Sequence, residues 1–292
     1  MPKQKVILIR KMPLIHNQKW LKNILGLFGS PGDNLFNYLC LKNSVFRSAS
    51  AAPFSYLDKP GRKKSIDKIY IHVFNELFIL LKSLHTKGDI LEFGVFQGYS
   101  ALLLAKKMKQ FEMKGSSLHL FDSFAGLPEG KEIDTHSYEQ ALHFWEKGAM
   151  NVSPGMDLYL KRKLGKILSN NRIHVIKGFF EQTLAPYFDS LTKPKAKLVH
   201  IDCDLYSATK YVLDFLLKRE IIQDGTLLIF DDWMTSLGNP NLGQRKAVEE
   251  VMSAYPAWSL EKYLNYGVGS HVFVAHDLRI TDARSVIHNG IS

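Results

Sequence analysis

Asp89-Ile90-Leu91-Glu92-Phe93-Gly94-Val95-Phe96-Gln97-Gly98-Tyr99-Ser100 is the stretch that decides the fold. Its first five residues form a short, largely apolar run, which predicts a buried strand. Gly94 and Gly98 follow, where a chain can turn sharply and approach a ligand closely. A helix over Tyr99 to Lys109 comes next, with Ala101, Leu102, Leu104, Ala105 and Met108 on one apolar side. Strand, glycine turn and helix in that order open a doubly wound α/β sheet.

The same alternation continues downstream. Upstream, the spacing predicts a helix over Asp67 to Leu84, stopped by Gly88. Further strands are expected at Ser117–Phe121, Ile173–Ile176, Lys197–Ile201 and Gly225–Phe230. Helices are expected near Gln182–Ser190, Ser207–Lys218 and Gln244–Ala254. Trp258–Tyr263 and Val268–Ala275 read as a closing strand pair around Asn265-Tyr266-Gly267. The expected architecture is a doubly wound, mostly parallel, seven-stranded α/β sheet with a mostly helical N-terminal extension. The extension spans 1–64, the sheet domain 65–280 with an insertion at about 123–171, and a tail 281–292. The insertion exceeds an ordinary connection and should hold its own helices.

Composition narrows the function classes. The chain of 292 residues is 46% hydrophobic and 23% charged, which is globular composition. Its net charge is +10, yet the lysines and arginines are scattered, with short clusters at 62–64 and 161–163. No basic run with interleaved aromatics is present, so nucleic acid is not an expected partner. No stretch approaches the ~20 apolar residues of a membrane span. Two cysteines far apart, Cys40 and Cys203, form no metal pair and fit a reducing cytoplasm. In the extension, Leu14, Leu21, Ile24, Leu25 and Phe28 recur at helical spacing beside Lys19 and Lys22. Either a membrane surface or a packed interface would cover that stripe. A homo-oligomer burying Trp20, Leu21, Leu25 and Phe28 is expected.

The chemistry should sit at the carboxyl ends of the strands, where open sheets bind ligands. The Gly94–Gly98 loop lacks the spacing of the dinucleotide fingerprint, because Phe96 stands two residues after Gly94. It still presents free N–H groups of the following helix. The second strand ends at Asp122, followed by Ser123, and a carboxylate there can accept the hydroxyl protons of a ribose. Together they favour an adenosine-bearing ligand. Later strands end His200-Ile201-Asp202-Cys203-Asp204 and Phe230-Asp231-Asp232-Trp233. Four carboxylates on neighbouring strand ends repel one another, and a hard divalent cation such as Mg²⁺ resolves that. The ordinary alternative is that some cap the helix beginning near Ser207.

These residues carry a resemblance. Glu92-x-Gly94, LFDSFAGLP at 120–128, KGFFEQTL at 177–184, HIDCDLYSAT at 200–209 and IFDDW at 229–233 together resemble the macrocin O-methyltransferase family over about 65–275. The chain departs from the family's frequent double glycine at Gln97-Gly98-Tyr99, and from its sugar-binding loop over Met234 to Arg245. The resemblance implies a class I methyltransferase sheet with its last strand antiparallel, S-adenosyl-L-methionine as cofactor, and as acceptor a small-molecule hydroxyl, that of a sugar of a natural product or glycan. It implies Asp202, Asp231 and Asp232 as metal ligands and Asp204 as general base. Glu92, Gly94 and Asp122 would hold the cofactor, with Val95, Phe96, Gly98, Ser100, Ser123 and Asp202 around it and Phe179 and Phe180 near the adenine. Two rival functions stay open. Asp202-Cys203-Asp204 is also a D-x-D of the kind that binds a metal–nucleotide sugar in glycosyltransferases, and the N-terminal stripe suits a non-catalytic membrane or partner-binding protein. Cys203 and His200 read as core residues, and Tyr206 and Trp233 as either pocket walls or packing.

Overall fold

The structure is a computed structural model that describes residues 63–137, 145–267 and 269–281. The expectations for the N-terminal stripe, its oligomer interface, Cys40 and most of the tail lie outside the described residues.

Among the described residues, six α-helices and seven strands follow in order. They are α1 (Lys63–Leu84), β1 (Asp89–Phe93), α2 (Tyr99–Gln110), β2 (Leu118–Asp122), α3 (Met156–Leu168), β3 (Ile173–Lys177), α4 (Phe180–Asp189), β4 (Ala196–Ile201), α5 (Tyr206–Lys218), β5 (Leu227–Phe230), α6 (Gly243–Ala254), β6 (Trp258–Tyr266) and β7 (Ser270–Asp277), with β-strands and α-helices numbered in chain order and three short 3₁₀ turns of helix at 132–136, 170–172 and 235–238 between them. The strands form one sheet in the order β3-β2-β1-β4-β5-β7-β6. β1 pairs in parallel with β2 and β4, β3 with β2, and β5 with β4. β7 runs antiparallel to both β5 and β6. All the expected strands are present, and the insertion holds α3 and the helical turn at 132–136.

The period-two pleat splits the apolar residues between two cores. Ile90, Leu118, Leu120, Leu198 and Ile229 face α1, α2 and α3. Leu91, Phe93, Phe121, Val199, Ile201 and Phe230 face α4, α5 and α6. Helix α5 shows why it packs as it does: Thr209, Val212, Leu213, Leu216 and Leu217 are its buried residues, at steps of three and four. Helix α1 ends at Leu84 as expected, with His85 in the left-handed conformation at φ 54°. Two boundaries differ from expectation. Helix α1 begins earlier, at Lys63. The β6–β7 turn is tighter than expected, because Asn265 and Tyr266 belong to β6. Tyr266 is buried edge-on against Tyr70, with ring centroids 5.2 Å apart, and that packing draws it into the strand.

Phe121 is fully buried, stacked on Phe93 at 4.8 Å on one side and on Phe188 at 5.6 Å on the other. Phe121→Ala is expected to lower stability by about 3–5 kcal/mol, read as a shift of the urea unfolding midpoint at unchanged slope.

Candidate active site

The strand order reverses between β1 and β4, so their carboxyl ends diverge and leave a crevice. Two backbone bonds carry the pairing to its limit. Gly94 N–H donates to Phe121 C=O at 2.9 Å, and Asp202 N–H donates to Phe93 C=O at 2.8 Å. Gly94 has φ 88°, and a Cβ there would stand 1.7 Å from the Asp202 carbonyl oxygen. The glycine is required by this backbone crossing. Gly98 has φ 77°, begins α2, and would drive a Cβ to 2.3 Å from a methyl of Leu160 in α3. Its requirement comes from the insertion, packed against the loop.

Asp122 ends β2 as expected, and its carboxylate is already engaged. Oδ2 accepts N–H bonds from Val95 at 2.7 Å and Phe96 at 2.8 Å, and Oδ1 accepts one from Phe124 at 2.6 Å. An ionised carboxylate has about four acceptor positions, so about one remains for a ribose hydroxyl. Burial pushes the Asp122 carboxyl up, the three N–H donors pull it back, and the charge of Asp204 adds to the rise. Ser123 is likewise engaged in the turn, its hydroxyl donating to Gly126 C=O at 2.8 Å. Ser100 is buried in the first turn of α2.

Glu92 is fully buried, below the loop. It lies opposite His200 across the β1–β4 ladder, with Glu92 Oε1 3.0 Å from His200 Nδ1. Glu92 Oε2 and His200 Nε2 have no hydrogen-bond partner among the described residues. Burial works against the imidazolium, but the Glu92 carboxylate and the charges of Asp231 and Asp232 outweigh it and raise the His200 pKa. The core reading of His200 is thus correct for position and incomplete for chemistry.

The structure brings three of the four acids together. Carboxylate oxygens of Asp202, Asp231 and Asp232 lie within 4.8 Å of one another. Three hard oxygen ligands from two adjacent strand ends fit a small divalent cation. Asp204 is buried beside them, with its N–H donating to Asp232 Oδ2 at 3.0 Å. The N-cap position of α5 is Leu205, which carries no side-chain cap. The acceptor there comes from Asp134 in the insertion, 3.1 Å from Ser207 N.

Several residues that hold the acids escaped sequence reasoning. Asp231 Oδ1 accepts bonds from Ser270 Oγ at 2.7 Å and Tyr70 Oη at 3.3 Å. Asp232 N–H donates to Gln244 Oε1 at 2.9 Å, and Gln244 Nε2 reaches Ile201 C=O at 3.2 Å. Gln244 is fully buried on the stripe of α6 that also carries Ala247, Val248 and Val251. A glutamine on an apolar stripe was the available signal. Asp134 had none, since it lies 73 residues from its partner.

The aromatic candidates divide. Phe180 packs edge-on to Phe93 at 5.8 Å and Phe179 takes the N-cap position of α4; both are half-buried. Tyr206 is bound to Glu250 and Lys210, tying α5 to α6. Trp233 stacks on His271 at 5.5 Å, with the Arg245 guanidinium 5.8 Å from its ring. Burial, with the nearby charges of Lys262 and Arg245, takes the His271 pKa down to about 4. Cys203 is a free, buried thiol that burial pushes up, so it stays protonated as the core reading expects. No helix among the described residues is long and apolar enough to cross a membrane.

The family model described as macrocin O-methyltransferase (TylF) matches residues 73–251, more than half of the chain. The chain belongs to the macrocin O-methyltransferase family. Among curated relatives, it is 23% identical over 146 residues to an 8-demethyl-8-(2,3-dimethoxy-α-L-rhamnosyl)-tetracenomycin-C 4′-O-methyltransferase of Streptomyces olivaceus, covering 50% of this chain and 53% of that one. It is 24% identical over 149 residues to a mycinamicin III 3″-O-methyltransferase of Micromonospora griseorubida, covering 50% and 55%. The chain spans about half the length of the curated relatives it matches. The calicheamicin methyltransferase CalS11 shares the fold at a TM-score of 0.62 and 20% identity, over 80% of this chain and 91% of that one. The O-methyltransferase NovP does so at 0.55 and 20%, over 70% and 78%. The matched family segment contains the glycine loop, Asp122 and all four acids, along with Gln244.

Gln244→Ala would leave the Asp232 N–H buried without its acceptor. It is expected to cost about 1–3 kcal/mol, measured by chemical denaturation, with faster amide exchange at Asp232.

Proposed function

We propose that this protein transfers a methyl group from S-adenosyl-L-methionine to a hydroxyl oxygen of a small molecule, a sugar of a glycoside in the first instance, with a divalent cation, Mg²⁺ first. The observation that carries this is the gathering of Asp202, Asp231 and Asp232 within 4.8 Å, with Asp204 alongside. The Glu92–Gly98 loop lies against that gathering at the β1–β4 crossing, in a chain of this family. The first curated relative is named as an O-methyltransferase of a rhamnosyl-tetracenomycin and the second as one of mycinamicin III, which sets the acceptor class to test.

S-adenosyl-L-methionine supplies an electrophilic methyl carbon on a sulfonium. Asp202, Asp231 and Asp232 would hold a divalent cation, which would supply Lewis-acid activation of the acceptor hydroxyl. The protein does the rest. Asp122 holds the loop through three N–H bonds and offers its remaining acceptor position to a ribose. Glu92 Oε2, buried and without a hydrogen-bond partner among the described residues, would be an acceptor for a polar group of the cofactor. Gly94, Val95, Phe96, Gly98, Ser100, Ser123 and Asp202 frame the cofactor crevice, and Phe179 and Phe180 offer ring surface to an adenine. Asp204 would accept the hydroxyl proton as the methyl group passes to the oxygen, and the sulfonium charge would be lost with the departing thioether, so an oxyanion hole would not be needed. A D-x-D glycosyltransferase reading would leave Asp231, Asp232 and the glycine loop without a task.

Calorimetry is expected to show binding of S-adenosylhomocysteine, weakened at least about tenfold in Asp122→Ala, because the loop and the ribose contact are lost together. In an acceptor screen of glycosides and nucleotide sugars, EDTA should abolish turnover. Asp231→Asn should lose metal affinity and turnover together, with partial recovery at high Mg²⁺. Asp204→Asn should keep metal binding and lose about a hundredfold or more in kcat, because a carboxamide cannot accept the proton. Full activity in EDTA would refute the metal assignment and leave the cofactor assignment standing.

A further inference from the structure

Helix α5 begins immediately after the acidic segment and has no cap of its own, since Leu205 carries no acceptor. The first N–H groups of a helix find no partner within it. Ser207 N–H instead donates to Asp134 Oδ1 at 3.1 Å. Asp134 is only 3% exposed, and its other oxygen accepts Lys131 N–H at 2.9 Å within its own helical turn. One buried carboxylate therefore joins the insertion to the start of α5.

What lies just ahead of that joint is Asp204. Its φ is 63°, a left-handed backbone that a non-glycine residue adopts only under constraint. The turn around it is closed by Leu205 N–H to Cys203 C=O at 2.7 Å. On its upstream side the constraint is visible: Asp204 N–H is held by Asp232 Oδ2 at 3.0 Å. On its downstream side the buried Leu205 side chain, and then Asp134 on Ser207, hold the chain. Without Asp134, the first turn of α5 can fray and the left-handed turn can relax toward ordinary backbone, taking the Asp204 carboxylate with it.

We propose that Asp134 is a positioning residue for Asp204, so that the insertion completes the catalytic end of the sheet through one charge-assisted bond to the α5 N-terminus. The inference rests on the reading of Asp204 as proton acceptor. It differs from a role in folding alone, because the bond acts on a strained turn that the core packing of α5 leaves to other contacts.

The test uses the full chain with two variants, Asp134→Ala and Asp134→Asn. Amide exchange over 204–208 reports the joint without any acceptor. It should quicken at least about tenfold in Asp134→Ala. In Asp134→Asn it should quicken several-fold, because a carboxamide has one acceptor oxygen for two N–H groups. With the acceptor found in the screen, kcat should fall about ten- to a hundredfold in Asp134→Ala. The KM for acceptor and the affinity for S-adenosylhomocysteine should stay within about twofold. Wild-type exchange over 204–208 would overturn the proposal, as would faster exchange with unchanged kcat. If Asp134→Ala does not fold, Asp134→Asn decides by the same criteria. Full turnover in Asp204→Asn would instead reject the proton-acceptor reading, and the positioning role with it, whatever the exchange data show.

Discussion

The close passage of Gly94 beneath the carbonyl of Asp202 is the constraint on which the site depends. Any side chain at position 94 would overlap that oxygen. Because the two backbones come so near, β1 and β4 stay paired to their last residues, Phe93 against Ile201. Beyond them the chains part in opposite directions, one into α2 and one toward α5. Both the glycine loop and the acidic segment are thereby delivered to one end of one crevice. A wider crossing would separate the cofactor side from the acids by the width of a side chain.

Gathering acids at a strand end carries an electrostatic cost, and the chain's overall charge of +10 does little to meet it locally. The compensation is built from short-range donors. Asp122 takes three backbone N–H groups, Asp231 takes the hydroxyls of Ser270 and Tyr70, and Asp232 takes the Asp204 N–H. Among the described residues, Arg and Lys ion pairs occur elsewhere, as in Lys210–Glu250 and Arg279–Asp277. Neutral donors fix each carboxylate without cancelling its charge. That is the arrangement a cation-binding site requires, since a lysine or arginine in the cluster would compete with the ion.

The fold was legible because its signals are local. Alternating strands and amphipathic helices follow from periodicity, and all seven strands appear where the pattern puts them, apart from shifts of a few residues at their ends. The acids at strand ends were legible for the same reason, once the sheet was known to bind at its carboxyl edge. The resemblance implied Asp202, Asp231 and Asp232 as a group with Asp204 apart, and carboxylate oxygens of those three do lie within 4.8 Å of one another. What sequence did not disclose is who holds them. Tyr70, Ser270 and Asp134 reach the site from α1, β7 and the insertion, and no spacing rule connects such distant positions. Gln244 is the intermediate case, because a polar residue on the buried stripe of α6 asks for a partner that only the fold can name. The glycines teach a related lesson. Both were expected to make room for a ligand, and both are required by the protein's own packing.

Backbone strain divides the molecule in a way that supports this account. Non-glycine residues with positive φ fall largely into two groups. His85, Glu112, Ser169 and Glu220 follow the ends of α1, α2, α3 and α5, where a left-handed residue is an ordinary way to stop a helix. Phe96, Phe124, Asp204, Ser236 and Leu237 follow β1, β2, β4 and β5 instead. Ser236 and Leu237 lie within the 3₁₀ turn at 235–238, while Phe96, Phe124 and Asp204 stand in the loops directly after β1, β2 and β4, at the edge that holds the glycine loop and the acids. Strain held at one edge of a sheet must be sustained by contacts around it. Asp122 on the Phe96 turn and Asp232 on the Asp204 turn are those contacts. The pair Ser236 and Leu237 adds a consequence for the acceptor. Ser236 is buried, while Leu237 is 67% exposed and Met234 43% exposed, shortly after the acidic pair Asp231 and Asp232. A strained loop that turns apolar side chains outward beside the acidic cluster would, on the proposed reading, suit an acceptor with an apolar body next to its reactive hydroxyl, and it is also where this chain departs from the family's sugar-binding loop.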